Sequence, residues 1–236
     1  MSRRVAVVGA SGFFGRYLAD YLLRDGHAGE LAVTPVTREN YAAAQSGEYD
    51  VVVNAAMPAK RFWAKQHPDL DFIETVQKTS DLLNHWKFTR FIQISSVSAR
   101  CERNTVYGRH KAAAEVLCDR PGCVIARFSN LYGPGMAKGA IIDIKNGNPV
   151  YVDGESRYAF TNVGFAAEWV TSAITRNDVS GLHEVGAKNT LSLNAIAAHL
   201  KKDIQFSGPV ELQEIQNAGP GFPDAREVLT FVSALS

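Results

Sequence analysis

The sequence has 236 residues, enough for one substantial domain or for one domain with a small appendage. Hydrophobic residues make up 46% of it and charged residues 21%, and 25 basic against 24 acidic side chains leave a net charge of +1. This balance excludes the basic surface typical of nucleic-acid binding, and no apolar run in the sequence reaches membrane-spanning length. The three cysteines fit neither a disulfide framework nor a metal motif, so we expect no metal and a reduced, cytoplasmic protein.

Short β-rich segments alternate with helical segments along the first half of the chain. This alternation predicts an α/β fold, a parallel sheet with helices on both faces. We predict strands at 4–10, 31–36, 50–57, 90–96 and 123–133, and helices at 16–26, 70–86 and 106–117. Gly26 is placed to end the first helix. About a dozen residues separate the second strand from the third, too few for a further helix and strand, so we expect one strand fewer than in a full doubly wound half.

The pattern loosens after residue 134, where we predict helices near 165–175 and 192–202, the second of them capped by Ser192. We therefore divide the chain into a core, residues 1–134, and a mainly C-terminal small lobe, residues 135–236, intertwined as one structural unit. Open parallel sheets bind ligands at the carboxyl edge of their strands. The lobe is expected to hold a substrate at that edge.

A glycine-rich loop, "GASGFFG", lies directly between the first strand and the first helix. In this context Gly9 permits a tight turn, Gly12 lets the backbone approach a pyrophosphate, and Gly15 allows close helix packing. The helix N-terminus adds free N–H groups and a partial positive charge. The alternative is a glycine-rich turn without a ligand. The loop residues predicted to bind a dinucleotide cofactor are Gly9, Ser11, Gly12, Phe13, Phe14, Gly15 and Arg16.

The segment "VTREN" at the end of the second strand bears on the choice of dinucleotide. Arg38 suits the 2′-phosphate of NADP, and Arg16 adds a second cation, whereas Glu39 would suit the free ribose of NAD. We expect NADP, with NAD as the alternative. The structural alternative is that Arg38 is a solvated loop residue.

A tyrosine and a lysine, Tyr107 and Lys111, lie four residues apart in "VYGRHK", a spacing that places both side chains on one helix face. The preceding strand ends in "ISS", which puts Ser95 and Ser96 at the carboxyl edge of the sheet. A lysine beside a tyrosine favours the phenolate, and the tyrosine can then exchange a proton with a carbonyl or hydroxyl oxygen while hydride moves to or from a nicotinamide. His110 is expected to turn away from the Tyr107 face.

The segments "GASGFFG", "NAA", "ISS", "YGRHK" and "RFSNLYGPG", in this order, resemble the extended short-chain dehydrogenase/reductase family of nucleotide-sugar epimerases, dehydratases and 4-ketoreductases. The resemblance implies a Rossmann domain in which Tyr107 is the acid/base and Lys111 its partner and a ribose contact. It also implies that Ser96, rather than Ser95, hydrogen-bonds the substrate carbonyl. The implied cofactor and substrate residues beyond these are Asn54, Ala55 and Ala56 along the cofactor, and Asn130 near the nicotinamide and substrate.

Several positions depart from the family pattern. Thr75 replaces an asparagine and Lys78 a glycine in the "TVQKT" segment, which bears on a water network beside the cofactor. Only ten residues separate Ser96 from Tyr107, a shorter loop than most sugar-nucleotide members of the family carry, which predicts a substrate site that this loop leaves open to solvent. Arg157 sits one residue earlier than the family's arginine, and we assign it to a substrate diphosphate. The other histidines, His27 among them, have no ligand spacing.

These inferences predict an NAD(P)H-dependent reductase of a keto group on a nucleotide-linked sugar, with Tyr107 as proton donor. One alternative is a nucleotide-sugar epimerase whose bound NAD is reduced only transiently. The other is a non-catalytic NAD(P)-binding sensor or scaffold. Family resemblance also implies a homodimer packed through helices 70–86 and 106–117.

Overall fold

The structure is a computed structural model that describes residues 2–24 and 29–235. Gly26, expected to end the first helix, and His27 lie outside the described residues. The elements of the first half are β1 Arg3–Val8, α1 Phe13–Arg24, β2 Leu31–Val36, α2 Tyr41–Gln45, β3 Glu48–Asn54, α3 Arg61–Gln66, α4 Pro68–Phe72, α5 Lys78–His85, β4 Lys87–Ser96, α6 Ser98–Cys101, α7 Val106–Leu117 and β5 Cys123–Phe128. A π-helical segment, Ile73–Gln77, joins α4 to α5.

The elements of the second half are shorter. They are β6 Leu131–Tyr132, α8 Ala140–Asn146, β7 Arg157–Tyr158, β8 Thr161–Asn162, α9 Val163–Thr175, β9 Gly181–Val185, β10 Leu191–Ser192, α10 Leu193–His199, β11 Leu212–Gln213 and α11 Glu227–Ala234. The Ser192 hydroxyl accepts a hydrogen bond from the Ala195 N–H at 3.2 Å, so the predicted helix cap is confirmed.

A six-stranded sheet in the order β2-β1-β3-β4-β5-β9, flanked by helices, gives the chain a Rossmann-like α/β fold. β1 pairs in parallel with both β2 and β3, and β3 pairs in parallel with β4. The central strands are buried on both faces, which is why β1 and β3 carry the valine-rich runs Val5–Val8 and Val51–Val53. The predicted fold class is therefore confirmed.

The strand between β2 and β3 that a full doubly wound half would contain is missing, as the short connection predicted. The five-residue helix α2 lies there instead, and β2 is an edge strand of the sheet formed by the described residues. Pro35 lies in β2, one residue before its end, where its missing N–H disturbs the ladder least.

The described chain forms two compact units. The first contains residues 1–127 and 167–183, and the second residues 128–166 and 184–236. The second unit has a three-stranded sheet, β10-β7-β11, and a two-stranded one, β6-β8. Its core includes Ile144, Tyr158, Leu193 and Val228, which are fully buried. Among the described residues, no helix combines the length and the apolar character needed to span a membrane.

Candidate active site

The strand register brings three chain segments to one edge of the sheet. Val8, the last residue of β1, is paired with Val36 at the end of β2 and with Asn54 at the end of β3. Backbone hydrogen bonds continue the alignment past the strand ends: Gly9 N–H donates to the Val36 carbonyl at 3.0 Å, and Ala55 N–H donates to the Val8 carbonyl at 2.9 Å. The loops after all three strands therefore start side by side.

The glycine loop has the close backbone packing that its sequence predicts. Gly9 has φ +90°, and a Cβ atom there would lie 2.6 Å from the Ala56 Cα. A Cβ atom on Gly15 would lie 2.2 Å from the Gly9 carbonyl oxygen, so neither position admits a side chain. At Gly12, by contrast, a Cβ atom would meet only the Gly9 oxygen, at 3.3 Å, among the described residues. The loop is thus tightly packed at Gly9 and Gly15 and has open space at Gly12, which fits a dinucleotide phosphate over Gly12.

The remaining loop residues divide by exposure. Ser11, Gly12 and Arg16 are exposed, Phe13 is half-buried, and the side chain of Phe14 is buried under the loop. Of the predicted loop residues, those with exposed atoms are available to a cofactor, whereas Phe14 acts as a packing residue.

The residues after β2 differ in how they are engaged. The Glu39 carboxylate accepts a hydrogen bond from the Thr37 hydroxyl at 2.8 Å, and Asn40 accepts one from the Thr37 N–H at 2.7 Å. Arg38 is exposed, and within the described part of the chain its side chain has no hydrogen bond or ion pair. Arg38 therefore remains available for an anionic ligand.

Asn54 lies at the centre of a buried amide network. Its Nδ2 donates to Gln93 Oε1 at 3.0 Å and to Thr79 Oγ1 at 3.3 Å, and its Oδ1 accepts from the Ala56 N–H at 3.2 Å. The Asn54 side chain is fully buried. Asn54 supports the turn at Ala55 and Ala56 from the interior of the protein. Of these three predicted residues, only the two alanines are half-buried.

Helix α7 begins with a well-defined cap. The Thr105 hydroxyl accepts a hydrogen bond from the Gly108 N–H at 3.0 Å and donates one to the Glu102 carbonyl at 2.8 Å. A Cβ atom on Gly108 would lie 2.2 Å from the Glu102 carbonyl oxygen and 2.7 Å from that of Ser98. Gly108 thus lets α6 pack directly against the first turn of α7, where Tyr107 lies.

Ser96, Tyr107 and Lys111 meet at this point. Lys111 Nζ lies 5.1 Å from the centroid of the Tyr107 ring, and the Ser96 hydroxyl is near enough to Tyr107 to act on its pKa. Ser96 Oγ also accepts from the Ser98 N–H at 3.2 Å, which fixes its rotamer. Tyr107 and Lys111 are both buried, and Ser96 is half-buried. The structure therefore brings the three predicted catalytic side chains together.

Burial dominates the protonation of this group. It raises the pKa of Tyr107 to about 12, although the Ser96 hydroxyl and the charge of Arg61 act to lower it. Burial likewise lowers the pKa of Lys111 to about 7, against the nearby charges of Asp71 and Glu115, which raise it. A low-dielectric environment disfavours the charged form of each. Tyr107 consequently keeps its proton, as a proton donor must.

Ser95 points into a different environment. Its hydroxyl donates to Glu115 Oε1 at 2.6 Å, and the same carboxylate is held by Arg127 through contacts of 2.9 Å and 2.6 Å. All three side chains are buried. Ser95 belongs to a buried ion-pair network, which leaves Ser96 as the serine beside Tyr107.

Three charged residues that sequence reasoning did not select act on Tyr107. Arg61 of α3 forms an ion pair with Glu102 at 2.8 Å. Arg61 lowers the pKa of Tyr107, whereas Glu102 and the buried Asp71 raise it. They come from separate parts of the sequence with no motif spacing, so no signal in the sequence could have found them.

The two departures in "TVQKT" fall at the π-helical segment. The Thr75 hydroxyl is fully buried and has no hydrogen-bond partner among the described residues, and Lys78 pairs instead with Glu74 one turn away. The segment widens the helix at a point where family members carry an asparagine, and π-helical turns are frequent at functional sites.

Asn130 and Arg157 belong to the second unit. The Asn130 carbonyl accepts from the Thr161 N–H at 2.8 Å, and its side chain is half-buried. Arg157 is exposed, and its guanidinium donates to the Thr190 hydroxyl and carbonyl, both at 3.1 Å. Their substrate roles stay predictions.

Comparison with solved structures finds the same fold repeatedly. A dTDP-4-dehydrorhamnose reductase from Bacillus anthracis in complex with NADP has a TM-score of 0.78 at 16% identity, with 99% of this chain and 98% of that chain covered. A UDP-glucuronic acid 4-epimerase from Bacillus cereus, in complex with UDP-glucuronic acid and NAD, has a TM-score of 0.70 at 20% identity over 98% and 93%. A UDP-glucose 4-epimerase from Thermotoga maritima with UDP-glucose has a TM-score of 0.72 at 18% identity over 90% and 89%.

These identities establish the fold alone, and no curated protein matches the chain. A family model does match, over residues 5–185, which is most of the sequence and includes the glycine loop, Ser96, Tyr107 and Lys111. The resemblance stated from the sequence is therefore confirmed at the level of the family. The chain belongs to the NAD-dependent epimerase/dehydratase family.

Proposed function

We propose that this protein is an NADPH-dependent reductase that converts a keto group of a nucleotide-linked sugar to an alcohol. The observation that carries the proposal is the meeting of Ser96, Tyr107 and Lys111 in the first unit, whose sheet edge also carries the open glycine loop. Burying a lysine is costly, and a catalytically inactive NAD(P)-binding sensor would have no use for a buried lysine beside a buried tyrosine. The buried pair therefore favours an enzyme.

The proposed cofactor contacts are the exposed face of the loop around Gly12, the Ala55–Ala56 turn, and Arg38 for a 2′-phosphate. Bound NADPH would supply a hydride to the carbonyl carbon of the substrate. The fit rests on the open space above Gly12 and on the unengaged guanidinium of Arg38.

Each side chain of the site has a distinct role in this reaction. Tyr107 donates its phenolic proton to the carbonyl oxygen as the C=O double bond is reduced, and solvent then restores the proton. The Ser96 hydroxyl hydrogen-bonds the same oxygen and steadies the charge that develops on it. Lys111, when protonated, favours the Tyr107 phenolate that forms on proton transfer.

The substrate class is supported by the family and by structures of similar fold, one of them a dTDP-4-dehydrorhamnose reductase with NADP and another a structure of RMD from Pseudomonas aeruginosa complexed with NADPH. A nucleotide-sugar epimerase is the second candidate, because similar folds also include epimerases in complex with NAD. The two functions share the proton-transfer chemistry of Tyr107 and differ in whether hydride leaves the enzyme with the product.

The test is NADPH oxidation, followed by absorbance, with a panel of 4-keto and 4-hydroxy nucleotide sugars. We expect consumption of NADPH with a keto substrate, and a loss of about 100-fold or more in kcat for Tyr107→Phe with NADPH affinity retained. Tyr151→Phe, at an exposed position, is the matched control. Isomerisation of a hydroxy sugar without NADPH consumption would identify an epimerase instead, and full activity of Tyr107→Phe would refute the assignment.

We also propose that the protein is a homodimer. Apolar side chains lie exposed on the helices that family resemblance assigns to the interface, among them Ile73 on the π-helical segment and Val116 on α7, at 45% and 73% exposure. Leu70 and Phe72 on α4 are exposed as well. A second copy of the chain would cover this apolar surface.

A further inference from the structure

A buried polar network lies beneath the turn at Ala55 and Ala56. The strand register pairs Asn54, the last residue of β3, with Gln93 of β4, and Thr79 of α5 joins them. All three side chains are fully buried, whereas the residues on either side of Asn54 and Gln93 are apolar. Burying amide groups is costly, and an apolar pair of the same shape can be about as stable. The network therefore requires an explanation beyond packing.

Every side-chain hydrogen of the network has an acceptor. The two hydrogens of Asn54 Nδ2 go to Gln93 Oε1 and to Thr79 Oγ1, as described above. Those of Gln93 Nε2 go to the Met57 sulfur at 2.9 Å and to Thr79 Oγ1 at 3.4 Å. The Thr79 hydroxyl donates to the Thr75 carbonyl, at 2.7 Å, on the π-helical segment. A fully satisfied network of this kind holds its members in one arrangement.

Asn54 and Met57 together fix the orientation of the Gln93 amide. A thioether sulfur can accept a hydrogen bond and cannot donate one. If the Gln93 amide were turned over, its oxygen would face the Met57 sulfur, and its NH2 group would face the NH2 group of Asn54. Two acceptors and two donors would then be opposed. The amide of Gln93 thus has a single orientation, in which it accepts from Asn54 and donates to Met57.

Asn54 and Met57 are the two ends of the turn that lies against the glycine loop. Within the turn, the Ala56 N–H donates to Asn54 Oδ1 at 3.2 Å. A Cβ atom on Gly9 would lie 2.6 Å from the Ala56 Cα and 2.7 Å from the Ala55 carbonyl carbon. The backbones of the turn and of the loop are therefore in direct contact, and a displacement of the turn is passed on to the loop.

We propose that Gln93 is a positioning residue for the dinucleotide cofactor. Its amide holds both ends of the turn from Asn54 to Met57, and so fixes the surface that the turn and the glycine loop present to the cofactor. Because Gln93 is fully buried, it acts through the turn and not on the cofactor itself. The inference rests on the proposed function for the presence of the cofactor, and on the hydrogen bonds alone for the position of the turn.

The first measurement is NMR of the cofactor-free protein labelled with ¹³C at the methionine methyl groups. The sequence has three methionines, and the Met57 resonance is identified by its absence from Met57→Leu. Loss of the Gln93 amide frees the Met57 side chain to average over several rotamers, so its resonance should move in Gln93→Leu. It should stay in place in Gln213→Leu, which replaces a buried glutamine of the second unit. An unmoved Met57 resonance in a folded Gln93→Leu would overturn the proposal.

The second measurement is the affinity for NADPH and for NADH, by titration calorimetry. Gln93→Leu should weaken the binding of both nucleotides about 10-fold or more, because the turn loses hydrogen bonds at both of its ends. Gln213→Leu should bind them as the unmodified protein does, and urea denaturation of the two variants measures how far each is destabilised. If Gln93→Leu and Gln213→Leu bind the nucleotides equally well, Gln93 does not position the cofactor.

Substitutions at the half-buried Met57 decide the case if Gln93→Leu does not fold. Met57→Leu removes the sulfur acceptor and should weaken nucleotide binding about 5-fold or more. Met57→Gln supplies an amide oxygen that can accept from Gln93 Nε2, so it should restore the affinity. Met136→Leu, at a half-buried methionine of the second unit, is the matched control and should bind normally. Unchanged affinity in Met57→Leu, or a loss that Met57→Gln does not recover, would contradict the proposal.

Binding and turnover together separate this inference from the proposed function. If the unmodified protein binds NADPH but reduces no keto sugar, the proposed function fails, while the affinities of the variants still decide the role of Gln93. If it reduces a keto sugar and Gln93→Leu binds NADPH normally, this inference alone fails. If it binds neither NADPH nor NADH, both fail, because there is no cofactor to position.

Discussion

Lys111 Nζ lies 5.1 Å from the centroid of the Tyr107 ring, with both side chains buried on one face of α7. Burial moves their pKa values in opposite directions, because it favours the neutral form of each: phenol for Tyr107, with a pKa of about 12, and amine for Lys111, with a pKa of about 7. The pair is therefore sensitive to every charge and hydrogen bond placed beside it. This sensitivity determines how substitutions around the site should act.

The two neighbouring serines should separate stability from catalysis. Ser96→Ala removes the hydroxyl beside Tyr107, and we expect kcat to fall on the order of 100-fold with little change in the free energy of unfolding. Ser95→Ala removes the donor to Glu115, and we expect the free energy of unfolding to fall by about 1–3 kcal/mol with kcat retained. Steady-state kinetics and urea denaturation measure both. A folded Ser95→Ala variant without activity would contradict the assignment.

Arg38 should affect one cofactor and not the other. Its exposed guanidinium is proposed to bind a 2′-phosphate, so Arg38→Ala should weaken NADPH binding about 10-fold or more and leave NADH binding unchanged. Titration calorimetry with each nucleotide measures the two affinities. Arg24→Ala, an equal loss of charge at an exposed position on α1, is the control. An equal loss of affinity for NADPH and NADH in Arg38→Ala would show that Arg38 does not bind the 2′-phosphate.

Gly108 should tolerate no side chain. A methyl group there would lie 2.2 Å from the Glu102 carbonyl oxygen, a backbone atom that can give way only if α6 moves. We expect Gly108→Ala to lower the free energy of unfolding by about 1–3 kcal/mol and to reduce kcat, because Tyr107 is the adjacent residue. Gly221→Ala, where a Cβ atom would meet no described atom within 4 Å, is the matched control. Unchanged kcat in Gly108→Ala would mean that the packing of α6 does not position Tyr107.

The apolar surface on α7 and the π-helical segment should control assembly. Ile73→Glu combined with Val116→Glu places two charges on this surface, so the mass measured by light scattering should fall from that of a dimer to that of a monomer. Leu212→Glu, at a similarly exposed apolar side chain of the second unit, should leave the mass unchanged. A monomeric mass for the unmodified protein would refute the dimer.

Much of this architecture could be predicted because it depends on local patterns. Each predicted feature follows from a local pattern. The valine-rich segments of β1 and β3 indicate buried strands, the glycine loop reflects a backbone requirement, and the four-residue spacing of Tyr107 and Lys111 reflects the helical period. Even the missing strand followed from counting residues between β2 and β3. Such features lie within a few residues of one another in the sequence.

The supporting residues could not be predicted because they depend on tertiary packing. Asp71 and His110 are 39 residues apart, and Arg61 and Glu102 are 41 apart, with no spacing rule that joins them. The π-helical segment interrupts what the sequence presents as one continuous helix from 70 to 86, since its extra residue per turn leaves no pattern in hydrophobic periodicity. Asn54, predicted beside the cofactor, proved to be held below the turn by Gln93 and Thr79.

Lys111 should leave a measurable trace in the pH dependence of stability. Its pKa is about 7 in the folded protein and the ordinary 10.5 in the unfolded chain, so between these values the unfolded chain binds a proton that the folded protein does not. Stability rises with pH wherever the unfolded state binds more protons. The free energy of unfolding of the unmodified protein should therefore rise relative to that of Lys111→Met, by up to about 1.4 kcal/mol per pH unit between pH 7 and 10.

Urea denaturation of both proteins at several pH values across this window measures the difference, in which the contributions of groups distant from Lys111 cancel. Lys65→Met, which removes a lysine at an exposed position on α3, is the matched control and should keep the pH dependence of the unmodified protein. Parallel curves for the unmodified protein and Lys111→Met would mean that the buried ammonium is fully balanced by its neighbours. A rising difference would show that the site holds Lys111 at the cost of stability, as a residue retained for chemistry does.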